Sequence, residues 1–419
     1  MHIVFFADNF PPEGNAIASR VFERACYWVT WGHQVTVITS APNFPEGNVY
    51  PGYNNKWYQI EIMKGIRVVR VKTFIAKNKG IFFRTLDFLS YTLPALIAGL
   101  WQKKPDVIVA TTPQPFAALT AFLLAALRRL PFILEVADIW PASIVGVGAM
   151  QNNIVIRWLE KLELFLYRRS TAIVVLTAAF KSNLISRGIN ANKMTVIVNG
   201  VDLANYSPCL QDVVLAKQYH IHSDTFVVGY IGTHGMAHAL ENVLKAAELL
   251  VNNSKILFLF VGGGAQRDDL INLANFKQLI NVKFIPMQPK NTIFRFWSLC
   301  HVALVHLKND PVFSEVIPSK IFEAMGMGLP ILLAAPKGEA SNIVMQNQVG
   351  IWVPAEDPRK LAEGINYYYE NPHMRKQWAI KSHQCANVYS RERQAKEMIV
   401  TIQKCCMPTT NIQHEDMLE

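Results

Sequence analysis

Short apolar runs alternate along this chain with stretches in which apolar residues recur every three or four positions. The first run, Ile3 to Ala7, has the unbroken hydrophobic character of a strand covered on both faces. A Pro-Pro-Glu-Gly-Asn loop follows. Val21, Ala25, Trp28 and Val29 then fall at helical spacing, predicting a helix over 16–31 that Gly32 ends before a second strand at 35–39. Strand, loop, helix and strand make a βαβ unit with a right-handed crossover. Further strands are predicted at 66–71, 106–110, 132–136, 173–176 and 195–198, most of them separated by helical stretches. The turn-rich stretch NGVDLANYSP, 199–208, closes this series. A second series follows, with strands at 226–231, 257–261, 282–285, 302–305, 331–333 and 351–353 alternating with helices such as 239–251.

This pattern predicts two doubly wound α/β domains rather than one. The 419-residue length agrees, being too great for a single core. The domains are expected at 1–205 and 206–385. A C-terminal helix over 386–406 should pack back on the first domain, and 407–419 should be a disordered tail. Open α/β sheets bind ligands beyond the carboxyl ends of their strands, so two facing sheets define a cleft.

Composition narrows the picture. At 51% hydrophobic residues the chain has ample surface to bury. Its six cysteines form no C-x-x-C pair and no metal-ligand spacing. With no signal peptide ahead of the first strand, they are expected to stay reduced in a cytoplasmic protein. The net charge of +10 suits an anionic partner. The basic clusters are only the pairs Lys103-Lys104, Arg128-Arg129 and Arg168-Arg169, with no nucleic-acid module around them, so nucleic acid is not expected. The pairs lie near two uncharged segments, 88–101 and 111–127. Both are shorter than the roughly 20 residues of a membrane span and both contain proline, which predicts buried or membrane-surface helices.

Loops that follow strands are where chemistry is expected. Gly14 stands at the entry to the first helix, either letting a ligand approach backbone amides or serving only as a turn. Asp138, in EVADIWPASIVGVG, should point into the cleft, to hold a sugar hydroxyl or to cap the next segment. In YIGTHGMAHALEN, Gly232 and Gly235 bracket His234 before a helix expected near His238, a place suited to a diphosphate. FVGGGAQRDDL lacks the dinucleotide fingerprint. In FSEVIPSKIFEAMGMGLPIL, Glu315 and Glu323 flank Lys320 and a helix start. Either the carboxylates bracket a ligand, accepting from paired hydroxyls while Lys320 and helix-start amides neutralise a diphosphate, or this is an ordinary helix with a charged outer face.

In this last segment the chain resembles the retaining glycosyltransferases of the GT-B fold, family four, whose hallmark E-x7-E is Glu315 through Glu323. GHQVTVIT, VIVNGVD, FVGGGAQRDDL, HVALVHLKND and IFEAMGMGLPIL occur in family order across nearly the whole chain. DIWPASIVGVGAM and PSKIFE look most like the branch that builds bacterial surface polysaccharides, of the L-fucosamine transferase type. The resemblance implies that Glu323 holds the nucleotide ribose, Glu315 contacts the donor sugar, amides from Val316 to Ser319 meet the phosphates, and Gly14 lies near the diphosphate or acceptor. Asp138 falls where many members carry a histidine. Two departures stand out. The Arg and Lys usual after the first strand of the second domain are replaced by GTHGMAHALEN, and the usual glycine pair of the first loop is reduced to Gly14-Asn15. The implied donor is a nucleotide-diphosphate sugar, with UDP carrying an N-acetylated amino or deoxyamino sugar. The implied acceptor is a polyprenyl-diphosphate-linked saccharide at the inner face of the cytoplasmic membrane, with peripheral contact to an anionic surface. No metal or other cofactor is expected, and oligomeric state is left open. Nucleotide-sugar epimerase and glycoside hydrolase are the rival readings.

Overall fold

Val-, Ile- and Phe-rich runs become central strands because their side chains are covered on both faces: Ile3 to Phe6 are fully buried, as are nearly all side chains of the strand at 226–231. The structure is a computed structural model and describes residues 1–44, 47–75, 81–146, 148 and 154–407. The first half runs β1 (His2–Phe6), α1 (Ala16–Thr30), β2 (Gln34–Ser40), β3 (Tyr58–Met63), β4 (Ile66–Val71), α2 (Ile81–Leu100), β5 (Val107–Thr111), α3 (Pro115–Arg128), β6 (Phe132–Val136), α4 (Ala142–Gly146), α5 (Ile154–Arg169), β7 (Ala172–Val175), α6 (Ala178–Ser186) and β8 (Met194–Val196). The second continues α7 (Val213–Gln218), β9 (Phe226–Ile231), α8 (Leu240–Leu249), β10 (Ile256–Val261), α9 (Arg267–Phe276), β11 (Val282–Ile285), α10 (Ile293–Trp297), β12 (Val302–His306), α11 (Lys320–Gly326), β13 (Ile331–Ala334), α12 (Glu339–Gln346), β14 (Gly350–Val353), α13 (Pro358–Glu370), α14 (Pro372–Ala386) and α15 (Arg391–Cys406).

Two sheets result, ordered β3-β4-β2-β1-β5-β6-β7-β8 and β11-β10-β9-β12-β13-β14. Every pairing is parallel except β3 with β4. Winding reverses at β1 in the first sheet and at β9 in the second, and neighbouring loops part at such switch points. The expected pair of doubly wound domains is therefore present, in the GT-B arrangement. Strand β3 was not expected. It alternates, leaving Ile60 and Ile62 exposed while Glu61 pairs with Arg70, so it has no continuous apolar run. The stretch 111–127 divides: Thr111 ends β5, Gln114 caps a new helix, and Pro115 opens it. Pro94 lies inside α2. The 407–419 tail lies outside the described residues apart from Met407.

The chain crosses between domains twice, and the crossings pair. Val201 N–H donates to Tyr389 O at 2.9 Å and Arg391 N–H to Val201 O at 2.7 Å. A Cβ on Gly200 would lie 2.3 Å from Tyr389 O, so only glycine permits this approach. Beyond it, α15 packs on α1: Trp28 Nε1 donates to Ala395 O at 2.9 Å, and Met398, Ile399 and Ile402 join the core beneath β1.

Inside the first domain, Glu135 is fully buried between Arg20 (3.3 Å) and Arg24 (2.7 Å). Burial alone would raise its carboxyl, but the two guanidinium groups bring it down to about 2. Glu135 therefore stabilises the fold above the ordinary carboxylate range, and that contribution drains away as pH falls from about 4.5 toward 2. Glu135→Gln should cost about 3–5 kcal/mol at pH 7 by leaving two cations buried. It should also flatten the acid limb of a denaturation-versus-pH series. An unchanged acid limb would remove Glu135 as its source.

Candidate functional site

The loops at the two switch points are tied down by their own polar side chains. After β1, the Glu13 carboxylate accepts from the amides of Phe10 (3.1 Å), Asn43 and Phe44 (2.8 Å each), and Asn15 caps α1 by accepting from Ala18 N–H at 2.8 Å. Gly14, exposed between them, has open space around its α-carbon.

After β12 the chain makes a turn through Glu315 and enters α11, whose first residue is Lys320. Lys320 is 6% exposed, and among the described residues its Nζ has no hydrogen-bond partner. It stands 3.9 Å from the centre of the Tyr230 ring, a cation–π contact. A Cβ on Gly232, which has φ +145°, would come within 3.1 Å of Nζ, so the loop after β9 is pared to glycine where the ammonium sits. Removal from water, opposed by Glu323, pushes Lys320 down to about 7. Behind it, His306 Nδ1–H donates to His238 O at 2.7 Å. The bare Nε2 of His306 accepts from Asn242 Nδ2 at 2.9 Å, and burial holds this histidine at about 4.

His234 is placed differently from the expectation. Its ring is fully buried against Tyr230, Phe260 and Phe284, and burial beside Lys320 and Arg267 lowers it to about 4. A contact between this ring and a diphosphate does not fit an enclosed, neutral imidazole. The His234 peptide instead holds the loop, donating to Gly263 O at 2.8 Å and accepting from Gln266 N–H at 3.0 Å. Gly235 precedes a 3₁₀ turn, and α8 begins at Leu240 rather than near His238.

Glu323, half-buried one turn into α11, accepts from Trp297 Nε1 at 3.4 Å, and burial raises its carboxyl. With Ser319 it lines a small cavity between the domains, opposite Ala16, Ser19 and Glu23 of α1. Lys290, from the loop after β11, reaches across to Glu23 at 3.0 Å, and Arg391 reaches the same carboxylate at 2.7 Å. Lys320 and Glu323 both face inward, which rules out a helix with a charged outer face.

Glu315 lines a separate open groove of about 490 Å³ between the domains, with Asn183 and Ser186 of α6 opposite Glu339 and Asn342 of α12. Its two oxygens accept from Asn183 Nδ2 at 3.1 and 3.2 Å, and Glu339 accepts from Ala179 N–H at 2.5 Å. Val316 packs against the cores of both domains. Asp138 follows β6; burial raises its carboxyl against hydrogen bonds from Ser143 and the Ile139 amide. The short α4 beyond it packs on the turn at 311–314, where a Cβ on Gly146 would lie 2.6 Å from Val312 Cγ1.

The structure thus gathers Gly232, Lys320, Ser319 and Glu323 on one wall, with Glu315 and Asp138 on segments that meet across the cleft. Sequence reasoning missed Glu23, Asn183, Lys290, Glu339 and Arg391, which topology alone brings to the interface. It also missed Glu163, near Asp138, which burial pushes up to about 8. Among the described residues no three His, Cys, Asp or Glu side chains are grouped to hold a metal ion.

Comparison with known proteins follows the same division. Residues 15–200 match the family model "Glycosyl transferase 4-like domain", and 214–384 match "Glycosyl transferases group 1". The chain is 24% identical to the putative colanic acid biosynthesis glycosyl transferase WcaI of Escherichia coli K12 over 336 residues, 78% of this chain and 82% of that one. It is 26% identical to the probable glycosyltransferase WbjE of Pseudomonas aeruginosa over 269 residues, 63% and 66% of the two chains. Among solved structures it matches sucrose-phosphate synthase from Thermosynechococcus elongatus with TM-score 0.78 at 15% identity, covering 96% and 98% of the chains. It matches Anabaena HepE in complex with UDP-glucose with TM-score 0.73 at 17% identity, covering 96% and 100%.

A buried lysine lowered to about 7 destabilises the free protein increasingly as pH falls below its ordinary value of 10.5, because the unfolded chain takes the proton more readily. Lys320→Met should therefore be more stable than the parent at pH 7 by about 2–4 °C in thermal midpoint, and should lose the advantage near pH 10. A lower midpoint at pH 7 would show that the ammonium is satisfied where it sits.

Proposed function

Since the chain belongs to the group 1 glycosyltransferases of GT-B fold, we propose that it moves a sugar, with retention at the anomeric carbon, from a UDP-linked donor to a lipid-linked saccharide in bacterial surface-polysaccharide biosynthesis. An N-acetylated amino or deoxyamino sugar is the proposed group transferred, on a polyprenyl-diphosphate-linked acceptor at the inner face of the cytoplasmic membrane. The observation that carries this reading is the buried ammonium of Lys320, with no hydrogen-bond partner among the described residues, against a glycine loop at the switch point. A cation desolvated with no counter-ion is a site awaiting an anion, and a diphosphate satisfies it. WcaI supports the polysaccharide context, and the HepE complex supports a UDP-sugar in this fold.

In this reading Glu323 accepts from the ribose hydroxyls while Lys320 and the amides of Gly235, Val316, Ile317 and Ser319 take the diphosphate, and Gly232, whose own amide donates to Val261 O at 2.9 Å, leaves room for it. Lys320 does the work of the Arg and Lys missing after β9, and the His234 peptide, not its ring, shapes the loop. Glu315 and Asp138 orient the donor sugar, and Gly14 borders the acceptor side. The acceptor hydroxyl oxygen bonds to the anomeric carbon as the bond to the diphosphate oxygen breaks on the same face, and that departing oxygen takes the hydroxyl proton. Charge grows on the leaving group, so fixed positive groups there lower the barrier. Glu315 and Glu323 line separate cavities, which disfavours a hydrolase whose two carboxyls must flank one bond. An epimerase would convert the nucleotide sugar without acceptor.

Calorimetry with UDP, GDP, ADP and dTDP should show one tight binder, UDP, whose binding Glu323→Ala abolishes. Binding of none would sink the donor assignment. Since an anion restores the proton that Lys320 gives up near pH 7, UDP binding at pH 8 should take up protons, read from the dependence of the heat on buffer. Lys320→Ala should lower turnover by about 10²–10³. The anomeric configuration of the product, read by NMR, tests retention.

A further inference from the structure

Glu315 makes the donor-sugar contact in the proposed reaction, yet its own domain fixes only its backbone. Asp310 caps the turn before it, accepting from Val312 N–H at 3.0 Å, and Gly338 packs so closely on that turn that a Cβ there would lie 2.1 Å from Ser314 O. Among the described residues, the one side chain that donates to the Glu315 carboxylate comes from the other domain. It is Asn183, whose Nδ2 stands 3.2 Å from Oε1 and 3.1 Å from Oε2.

Helix α6 holds Asn183 in that place. Thr177, just past the end of β7, caps the helix by accepting from Phe180 N–H at 3.0 Å, and Phe180 and Leu184 anchor it in the core of the first domain. Ala179, Ser182, Asn183 and Ser186 recur at i, i+3, i+4 and i+7, so they share a different face, and all four line the groove at Glu315. The arrangement does not favour stability. Asn183 Oδ1 is buried with no hydrogen-bond partner among the described residues, and a buried acceptor left unpaired opposes folding. Turned the other way, the amide would set this oxygen against the carboxylate, so Glu315 decides which way it faces.

What Asn183 supplies is direction without neutralisation. A glutamate side chain turns about its own bonds, and a carboxylate accepts at about four lone-pair positions. An amide that takes one edge orients the group and leaves positions open for sugar hydroxyls. Because this donor is uncharged, the full negative charge stays on Glu315, where an arginine or lysine would have offset it. That charge favours a sugar whose ring carbon turns positive as the diphosphate leaves. We propose that Asn183 is a positioning residue for the transferred sugar: reaching across from the first domain, it aims the Glu315 carboxylate at the donor, so that the sugar is held only when the two domains stand together as they do here. This rests on the reading of Glu315 as the donor-sugar contact and of the donor as UDP-linked.

Calorimetry with UDP and with UDP-N-acetylglucosamine as probes separates the sugar's share of binding from the nucleotide's. Asn183→Ala should weaken UDP-N-acetylglucosamine by about tenfold and leave UDP unchanged. Asn183→Asp, of the same shape, should lose at least as much, since it sets a second carboxylate against the first. In a Glu315→Ala background, Asn183→Ala should weaken the UDP-sugar no further, because a residue that acts through Glu315 has nothing left to orient. The proposal is overturned if Asn183→Ala binds the UDP-sugar as the parent does, if its loss persists undiminished in Glu315→Ala, or if the parent binds UDP but not UDP-N-acetylglucosamine. Weaker UDP binding by Asn183→Ala in both backgrounds would mark a structural role and overturn it too. All of these outcomes leave the nucleotide assignment standing, whereas a parent that binds no UDP would overturn the donor reading and this inference with it.

Discussion

Everything at the cleft depends on one carboxylate held by two cations. Glu23, on the first helix of the N-terminal domain, is met by Arg391 at 2.7 Å and by Lys290 at 3.0 Å, one from the returning C-terminal helix and one from the second domain. Burial would raise that carboxyl, but the two cations outweigh it and hold it below its ordinary value. Arg391 also donates to Asn199 at 2.8 Å, beside the backbone pairing of Val201 with Tyr389 and Arg391. The two crossings of the chain are thereby stitched together at the hinge. While Asn183 with Glu315 and Ala179 with Glu339 tie the domains at the other groove, Lys290 reaches Glu23 from the second domain one cavity wall away from Glu323. A group that enters this cavity must share or displace that contact, so ligand binding and domain closure draw on the same charges.

The second constraint is that Lys320 is left unsatisfied. Two large apolar clusters enclose the second sheet, and it is their packing that holds an ammonium where water cannot reach it. Tyr230 offers a ring face, Glu323 offers distant charge, and the two buried histidines nearby are kept neutral by the same desolvation. A site built this way is poor at stability and good at binding anions, because no internal counter-ion has to be broken first.

Strand positions, the double winding and the E-x7-E segment were legible because continuous apolar runs and loop residues carry their own signal. Strand β3 was not, since an edge strand with Ile60 and Ile62 facing outward looks polar in alternation. His234 was misjudged for a different reason: a Gly-flanked histidine after a strand reads as exposed, and only the aromatic side chains of Phe260 and Phe284, from neighbouring strands, show that it is enclosed. The partners of Glu23 and Glu315 could not be read at all. Lys290, Arg391 and Asn183 lie hundreds of residues or a whole domain away, and nothing local marks them.

The uncharged segments 88–101 and 111–127 looked alike in sequence, yet the structure separates them, and the reason is topological. The second supplies the end of β5 and then α3, which is wedged between α2 and α5, so its apolar residues other than Leu127 are covered wholly or in part by neighbours. Helix α2 has α3 on one flank and the edge hairpin β3–β4 on the other, so among the described residues Leu89, Leu93, Ile97 and Leu100 stay uncovered. Helix α5, on the same side of the sheet, mixes exposed Glu160 and Lys161 with exposed Ile154, Trp158 and Phe165. The exposed leucines of α2 add nothing to the core, so topology and not packing sets which apolar side chains stay uncovered among the described residues.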